Sequence, residues 1–119
     1  MNEILTQEKS IYLQIREMIE NDILKDILAE EEKAPSTNEL AKYYTINPAT
    51  AAKGINLLVD DGILYKKRGI GMFVRTGAKA VIYKKRKEEF KSQTIQKLLE
   101  EAKSLKISKE ELIEMIERS

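Results

Sequence analysis

Apolar side chains recur at helical spacing in the first third of the chain. After Ser10 they stand three or four positions apart, at Ile11, Ile15, Met18, Ile19, Ile23 and Leu24. This pattern predicts an amphipathic helix over residues 11–27, with the Ser10 side chain accepting a backbone N–H as its cap. A second helix of about nine residues is predicted after Ser36, because Ser36 and Glu39 have the spacing of a capping box. Its buried side would be formed by Leu40, Ala41 and Tyr44.

A third helix and a hairpin are predicted in the middle of the chain. Asn47 is a suitable N-cap and Pro48 fits the first helical position, so a helix should run from there to about Asp60. Gly62 ends it, because glycine tolerates the left-handed conformation found after helices. Two short strands rich in branched and aromatic residues follow, at residues 63–66 and 72–75, around a tip with two glycines. This order of elements is that of a winged helix-turn-helix.

The C-terminal segment carries two further amphipathic stretches. A basic run at residues 84–87 leads into a predicted helix of about 20 residues, and Ser108 with Glu111 forms a second capping box. About 40 residues are too few to enclose a core alone, so we expect a second copy to cover the apolar positions. These positions are Phe90, Ile95, Leu98, Leu99, Ala102, Leu105, Leu112, Ile113 and Ile116.

The predicted fold is therefore mainly α with a small β-hairpin. A winged helix-turn-helix domain would occupy residues 1–77, and a two-helix dimerisation segment would occupy residues 78–119. A two-fold dimer through this segment would place the two copies of the third helix roughly 34 Å apart, or at a related distance, on one face of the dimer.

Composition removes most enzyme classes. The 119 residues include no cysteine and no histidine, which excludes disulfides, thiolate chemistry and a histidine general base. Neighbouring carboxylates such as Glu88 and Glu89 point apart on a helix and imply no pocket. The sequence has no run of about 18 apolar residues and no secretory pattern at its start. We expect a cytoplasmic protein that is not an enzyme and has no cofactor, metal or membrane partner.

Positive charge is concentrated in the middle of the chain. Residues 1–35 carry four basic and nine acidic side chains, residues 36–79 seven and three, and residues 80–119 ten and eight. The net charges of the three segments are thus −5, +4 and +2, within a total of +1. A polyanion such as DNA would bind the middle segment.

Candidate DNA contacts lie on the second helix, the third helix and the hairpin. The third helix, about residues 48–59, would enter the major groove, and the wing, residues 66–72, would lie on the backbone or in the minor groove. Small residues at Ala49, Ala51, Ala52 and Gly54 would leave no bulky side chains to hold the helix away from the groove. The candidates are Ser36, Thr37, Asn38, Asn47, Pro48, Ala49, Thr50, Lys53, Lys67, Arg68 and Gly69. The run at residues 84–87 is either a solvated helix start or a DNA contact, and Glu30, Glu31 and Glu32 are interpreted as a solvated loop.

The chain resembles the GntR family of bacterial transcription regulators, and within it the YtrA-like branch. Matching stretches are residues 11–15, 35–41, 46–53, 61–64 and 68–74. The resemblance implies a dimeric repressor on a palindromic operator, and the branch implies control of nearby transporter operons. The chain departs from the family at Asn38 and Ala52, where many members carry a basic residue, and at residues 31–34, which replace a Pro-Gly turn.

Two questions stay open at the level of sequence. A winged helix can also serve as a protein-interaction module without specific DNA binding, which is the alternative function. The segment after the wing is too short to enclose a small-molecule pocket by itself. Any effector would have to bind at the dimer interface or between the interface helices and the winged domain.

Overall fold

A computed structural model describes residues 3–6 and 9–119. Its elements, in chain order, are α1 (Ile11–Leu24), α2 (Thr37–Tyr44), α3 (Pro48–Asp60), β1 (Leu64–Lys67), β2 (Gly71–Val74), α4 (Ala78–Glu89), a π-helical segment (Phe90–Ile95), α5 (Gln96–Ser104) and α6 (Lys109–Glu117). The chain forms two compact units, one ending at Tyr83 and the other beginning at Lys84. The order of helices and strands confirms the predicted winged helix-turn-helix.

The core of the first unit lies where α3 packs against α1, α2 and β1. Ile15 on α1, Leu40 on α2, Ile55 and Leu58 on α3 and Leu64 on β1 are all fully buried. Ala78 and Ile82 belong to the same core. The first unit therefore extends to Tyr83, beyond residue 77, because Ala78 and Ile82 of α4 are buried in its core.

The close crossing of α1 and α3 depends on small residues of α3. Ala51 is fully buried, and Gly54 is buried against α1. A Cβ atom at Gly54 would lie 2.8 Å from the carbonyl oxygen of Tyr12 and 3.0 Å from the Cβ of Ile15. The prediction that Ala51 and Gly54 keep a DNA-facing surface low is therefore wrong, since both are needed for helix contact inside the core.

Most predicted helix ends are confirmed, with two differences at α1. The capping box of α2 is complete: Ser36 Oγ accepts the N–H of Glu39 at 3.0 Å, and the Glu39 carboxylate accepts the N–H of Ser36 at 3.1 Å. At α1, the Ser10 side chain makes no capping hydrogen bond. The Gln14 side chain instead holds the preceding segment through two hydrogen bonds of 2.7 Å to the backbone of Thr6. The helix also ends at Leu24 and not at residue 27, because Asp26 adopts a left-handed φ of 60°.

The wing is an antiparallel hairpin with an additional segment along β2. Leu64 pairs with Val74 and Lys67 with Gly71. Strand β1 lies one residue later, and strand β2 one residue earlier, than predicted. At the tip, Gly69 has a φ of 77°, which favours glycine. On the other side of β2, Lys33 forms a bridge with Phe73. The acidic segment before α2 is thus joined to the wing sheet.

The second unit contains the end of α4, the π-helical segment, α5 and α6. Within it, α5 packs against α6 across a turn, and Ser108 Oγ caps α6 by accepting the N–H of Glu111 at 3.1 Å. The Glu111 carboxylate accepts the Ser108 hydroxyl and not its N–H, so the predicted box is only half formed. Among the described residues, no helix is both long and apolar enough to cross a lipid bilayer.

The predicted dimerisation residues divide into three groups by burial. Ala102 and Leu112 are buried within the single chain. Ile95 and Leu99 are half-buried. The remaining five are exposed, from 37% for Leu98 to 64% for Leu105, and include Phe90, Ile113 and Ile116. Burial of Ala102 and Leu112 within one protomer leaves only the other seven available to a partner.

Candidate nucleic-acid interface

The turn between α2 and α3 presents the beginning of α3 to solvent. Thr45 ends α2 in a left-handed conformation with a φ of 53°, and the N–H of Ile46 bonds to the carbonyl of Ala41 at 3.0 Å. Asn47 then caps α3 by accepting the N–H of Ala49 on its side-chain oxygen at 2.8 Å. The first turn of a helix carries partial positive charge, which favours a nearby phosphate.

The predicted contact residues on both helices are accessible to different degrees. Asn38, Asn47, Pro48, Ala49 and Lys53 are exposed. Ser36, Thr37 and Thr50 are half-buried. Although the Ser36 oxygen accepts the capping hydrogen bond, its hydroxyl hydrogen can still be donated to a phosphate.

The Lys53 side chain lies over an aromatic ring of α1. Its Nζ atom is 4.0 Å from the centroid of Tyr12. A cation at this distance from a ring face is attracted to it, so Tyr12 orients the ammonium at the exposed edge of α3. Local spacing gave no sign of this pair, because the two residues are far apart in sequence.

The ammonium of Lys67 lies close to two aromatic rings of the wing. Lys67 Nζ lies 4.1 Å from the ring centroid of Phe73 and 5.9 Å from that of Tyr65. These two rings belong to paired positions of β1 and β2 and have centroids 6.2 Å apart. Arg68 and Gly69 stand exposed at the tip. The wing therefore carries exposed positive charge next to two aromatic rings.

The acidic segment before α2 is bonded to the base of this wing. The Glu31 carboxylate accepts the Tyr65 hydroxyl, and also the hydroxyl and N–H of Thr76 at 2.8 and 3.0 Å. The hydrogen bond from Tyr65 is the main cause that lowers the pKa of Glu31, and it raises the pKa of Tyr65 in turn. Glu30 accepts the N–H of Gly77 at 2.9 Å.

Glu30, Glu31 and Glu32 are all exposed, as predicted for a solvated loop, but their carboxylates also accept hydrogen bonds from the protein, which was not predicted. Glu32 also bonds within the turn, to the N–H of Ala29 at 2.8 Å. The partners of Glu31 lie far along the chain, where a local charge pattern gives no information. One sequence signal did indicate an unusual turn here. Residues 31–34 replace the family's Pro-Gly turn, and Glu31 takes a left-handed φ of 64°, which favours glycine.

Comparison with known proteins places these features in a family. Residues 11–74, from the start of α1 to the end of β2, match the profile of the bacterial regulatory proteins of the gntR family. The chain belongs to this family. It is 31% identical to the HTH-type transcriptional repressor YtrA of Bacillus subtilis over 90 residues, which cover 76% of this chain and 69% of YtrA. The match to the regulator YurK of the same organism, at 35% identity, spans 56% of this chain but only 27% of YurK.

Solved structures support the same assignment. A putative transcriptional regulator of the GntR family from Bacteroides thetaiotaomicron superposes with a TM-score of 0.76 and 36% identity, covering 91% of this chain and 94% of that one. The structure of AraR(DBD) in complex with operator ORX1 superposes with a TM-score of 0.53 and 31% identity, over 62% of this chain and 90% of that one. The winged helix-turn-helix of a GntR regulator is thus confirmed. The individual DNA contacts stay predictions.

Proposed function

We propose that this GntR-family protein is a sequence-specific DNA-binding repressor that acts as a dimer on a palindromic operator. The observation that carries the proposal is the pairing, in one compact unit, of an exposed capped helix start with an exposed basic wing tip. The DNA-binding domain of AraR, which superposes on 62% of this chain, is solved with an operator. The relatives named as repressors favour repression over activation.

Each element has a distinct part in the proposed complex. Residues 48–59 of α3 would read base edges in the major groove, where Asn47, Ala49 and Thr50 are short enough for close approach. Lys53, Lys67 and Arg68 would contact phosphates and supply most of the affinity. Phosphate contacts fix the register of the protein, and the contacts of α3 specify the sequence.

The second unit would supply the dimer. Three of its exposed apolar side chains, Leu105, Ile113 and Ile116, are 49 to 64% accessible. Burying such side chains against a second copy removes apolar area from water at about 25 cal/mol per Å². We expect sedimentation equilibrium to show a dimer, and Ile116→Glu to dissociate it, while Lys103→Glu on an exposed polar position leaves it intact. A wild-type monomer at all concentrations would contradict this assembly.

Control of a nearby transporter operon and a cytoplasmic location belong to the same proposal. Both follow from the YtrA-like resemblance and from the proposed action on chromosomal DNA. Regulation, rather than catalysis, is the activity that the family relatives share in their names.

Selection from a random-sequence duplex pool tests the proposal, because it works even when the operator sequence is unknown. The wild-type protein should enrich a palindromic sequence, to which Lys53→Ala and Arg68→Ala bind more weakly. Lys103→Ala removes the same charge from α5 and should bind as the wild type does. If no sequence is enriched at any salt concentration, the DNA-binding proposal fails and a protein-docking role replaces it.

A further inference from the structure

We propose that Glu31 is a positioning residue for the DNA-contacting wing, so that an acidic side chain strengthens binding to a polyanion. The inference rests on the proposed function, because it assumes that the wing meets DNA. It concerns a residue whose charge alone would predict the opposite effect.

The backbone of Glu31 is held in a conformation that its residue type disfavours. Its φ of 64° lies in the left-handed region, where a Cβ atom crowds the following carbonyl. Such a conformation persists only where surrounding contacts impose it. Here the N–H of Glu31 bonds to the carbonyl of Val74 at 2.7 Å, and the N–H of Val74 returns a bond to the carbonyl of Glu32 at 3.0 Å. These bonds anchor the acidic turn to the end of β2.

The carboxylate of Glu31 connects the two strands of the wing at their base. It accepts the hydroxyl of Tyr65, which belongs to β1, and both donors of Thr76, which follows β2. A two-stranded hairpin is only marginally stable by itself in water. Backbone bonds to residues 31–34 and the buried Leu64 and Val74 hold this hairpin to the core, and the carboxylate adds a side-chain restraint on the splay and twist of its two strands.

The restraint reaches the basic end of the wing through the aromatic rings. The ring of Tyr65 lies beside Phe73, and the ammonium of Lys67 stands over Phe73 at 4.1 Å. Fixing the Tyr65 hydroxyl thus fixes the platform on which Lys67 rests. Arg68 follows directly in the chain. A wing held in one orientation loses less conformational freedom when it meets DNA, which raises affinity.

The direction of the effect separates positioning from simple electrostatics. A carboxylate near DNA repels phosphates within about 8 Å at physiological salt, so its removal should strengthen binding. If Glu31 positions the wing, Glu31→Gln should instead weaken binding by about fivefold, within the range for residues that act without touching the ligand.

Glu32→Gln is a matched control for this test. It removes the same charge from the same turn, and the hydrogen bond of the Glu32 carboxylate is local, to the N–H of Ala29. We expect it to bind DNA as tightly as the wild type or slightly more tightly. Tyr65→Phe removes the hydroxyl bonded to Glu31 without changing any charge, and it should weaken binding as Glu31→Gln does. If Glu31→Gln fails to fold, Tyr65→Phe tests the inference in its place.

The experiment measures fluorescence anisotropy with a duplex enriched by the wild-type protein, together with hydrogen exchange of the free variants. In Glu31→Gln we expect faster exchange of the β1 and β2 amides and unchanged exchange in α1 and α3. The loss of affinity should disappear in a Lys67→Ala, Arg68→Ala background. Unchanged or tighter binding by Glu31→Gln, or an equal loss in that background, would overturn the inference. Failure of the wild type to bind would overturn the proposed function instead, and the two failures are therefore distinct.

Discussion

The close approach of α1 and α3 at Gly54 makes a quantitative prediction about stability. In Gly54→Ala the new Cβ would stand 2.8 Å from the Tyr12 carbonyl oxygen and 3.0 Å from Cβ and Cγ2 of Ile15. Neither neighbour can yield easily, because one is backbone and the other is a fully buried side chain. Overpacking of this kind costs about 1–3 kcal/mol, and contact with a rigid backbone atom places this case near 3.

The higher helix propensity of alanine offsets part of the free-energy cost of this clash. Replacing glycine by alanine inside a helix gains about 1 kcal/mol. The net expectation for Gly54→Ala is therefore a loss of about 2 kcal/mol in the free energy of unfolding, where propensity alone predicts a gain.

Equilibrium urea unfolding followed by circular dichroism measures this loss, at a single protein concentration because dimerisation would add to apparent stability. Ala52→Gly, at a half-buried position of the same helix, provides the matched reference for propensity and should lose about 1 kcal/mol. A Gly54→Ala variant as stable as the wild type, or more stable, would refute the close crossing of the two helices.

Three further predictions concern the cap, the wing and the acidic turn. Ser36→Ala removes the side-chain half of the α2 capping box and should cost about 1 kcal/mol, which urea unfolding would detect; an unchanged midpoint would show that the cap contributes nothing. Lys67→Ala should reduce the slope of log affinity against log salt by about one unit, whereas Lys103→Ala should leave it unchanged; equal slopes for both variants would remove Lys67 from the interface. The hydrogen bond from Tyr65 lowers the pKa of Glu31 below 4.5. The ionised carboxylate therefore stabilises the fold above pH 4.5, and this stabilisation is lost as the pH falls through the lowered pKa. Glu31→Gln should therefore be less stable than the wild type at pH 7, and the difference should shrink toward pH 3; a difference that is constant across this range would contradict the assigned charge state.

Features that depend on nearby residues were predictable from the sequence. The Ser36 and Glu39 box needs only a spacing of three, and Asn47 followed by Pro48 marks a helix start in almost any context. Both are formed in the structure. Features that depend on distant residues were not predictable. The pairs of Glu31 with Tyr65 and of Tyr12 with Lys53 join positions 34 and 41 residues apart, for which local patterns carry no signal.

Small and apolar residues gave patterns with more than one structural meaning. A small residue on α3 suits close approach to DNA and close approach to α1 equally well, and Ala51 and Gly54 serve the second purpose. In the C-terminal segment, apolar spacing marked Ala102 and Leu112 together with Leu105 as interface positions. Spacing cannot tell which side chains the neighbouring helix of the same chain covers, since that depends on the turn between α5 and α6.

Discrimination between two duplexes tests the central claim most directly. Fluorescence anisotropy would compare a duplex from the region upstream of the protein's own gene, or one enriched from a random pool, with a scrambled duplex of the same composition at two salt concentrations. We predict binding at least about 100-fold tighter to the native or enriched sequence, with steep salt dependence for both duplexes. Equal affinity for the enriched and scrambled duplexes would contradict sequence-specific regulation by this protein.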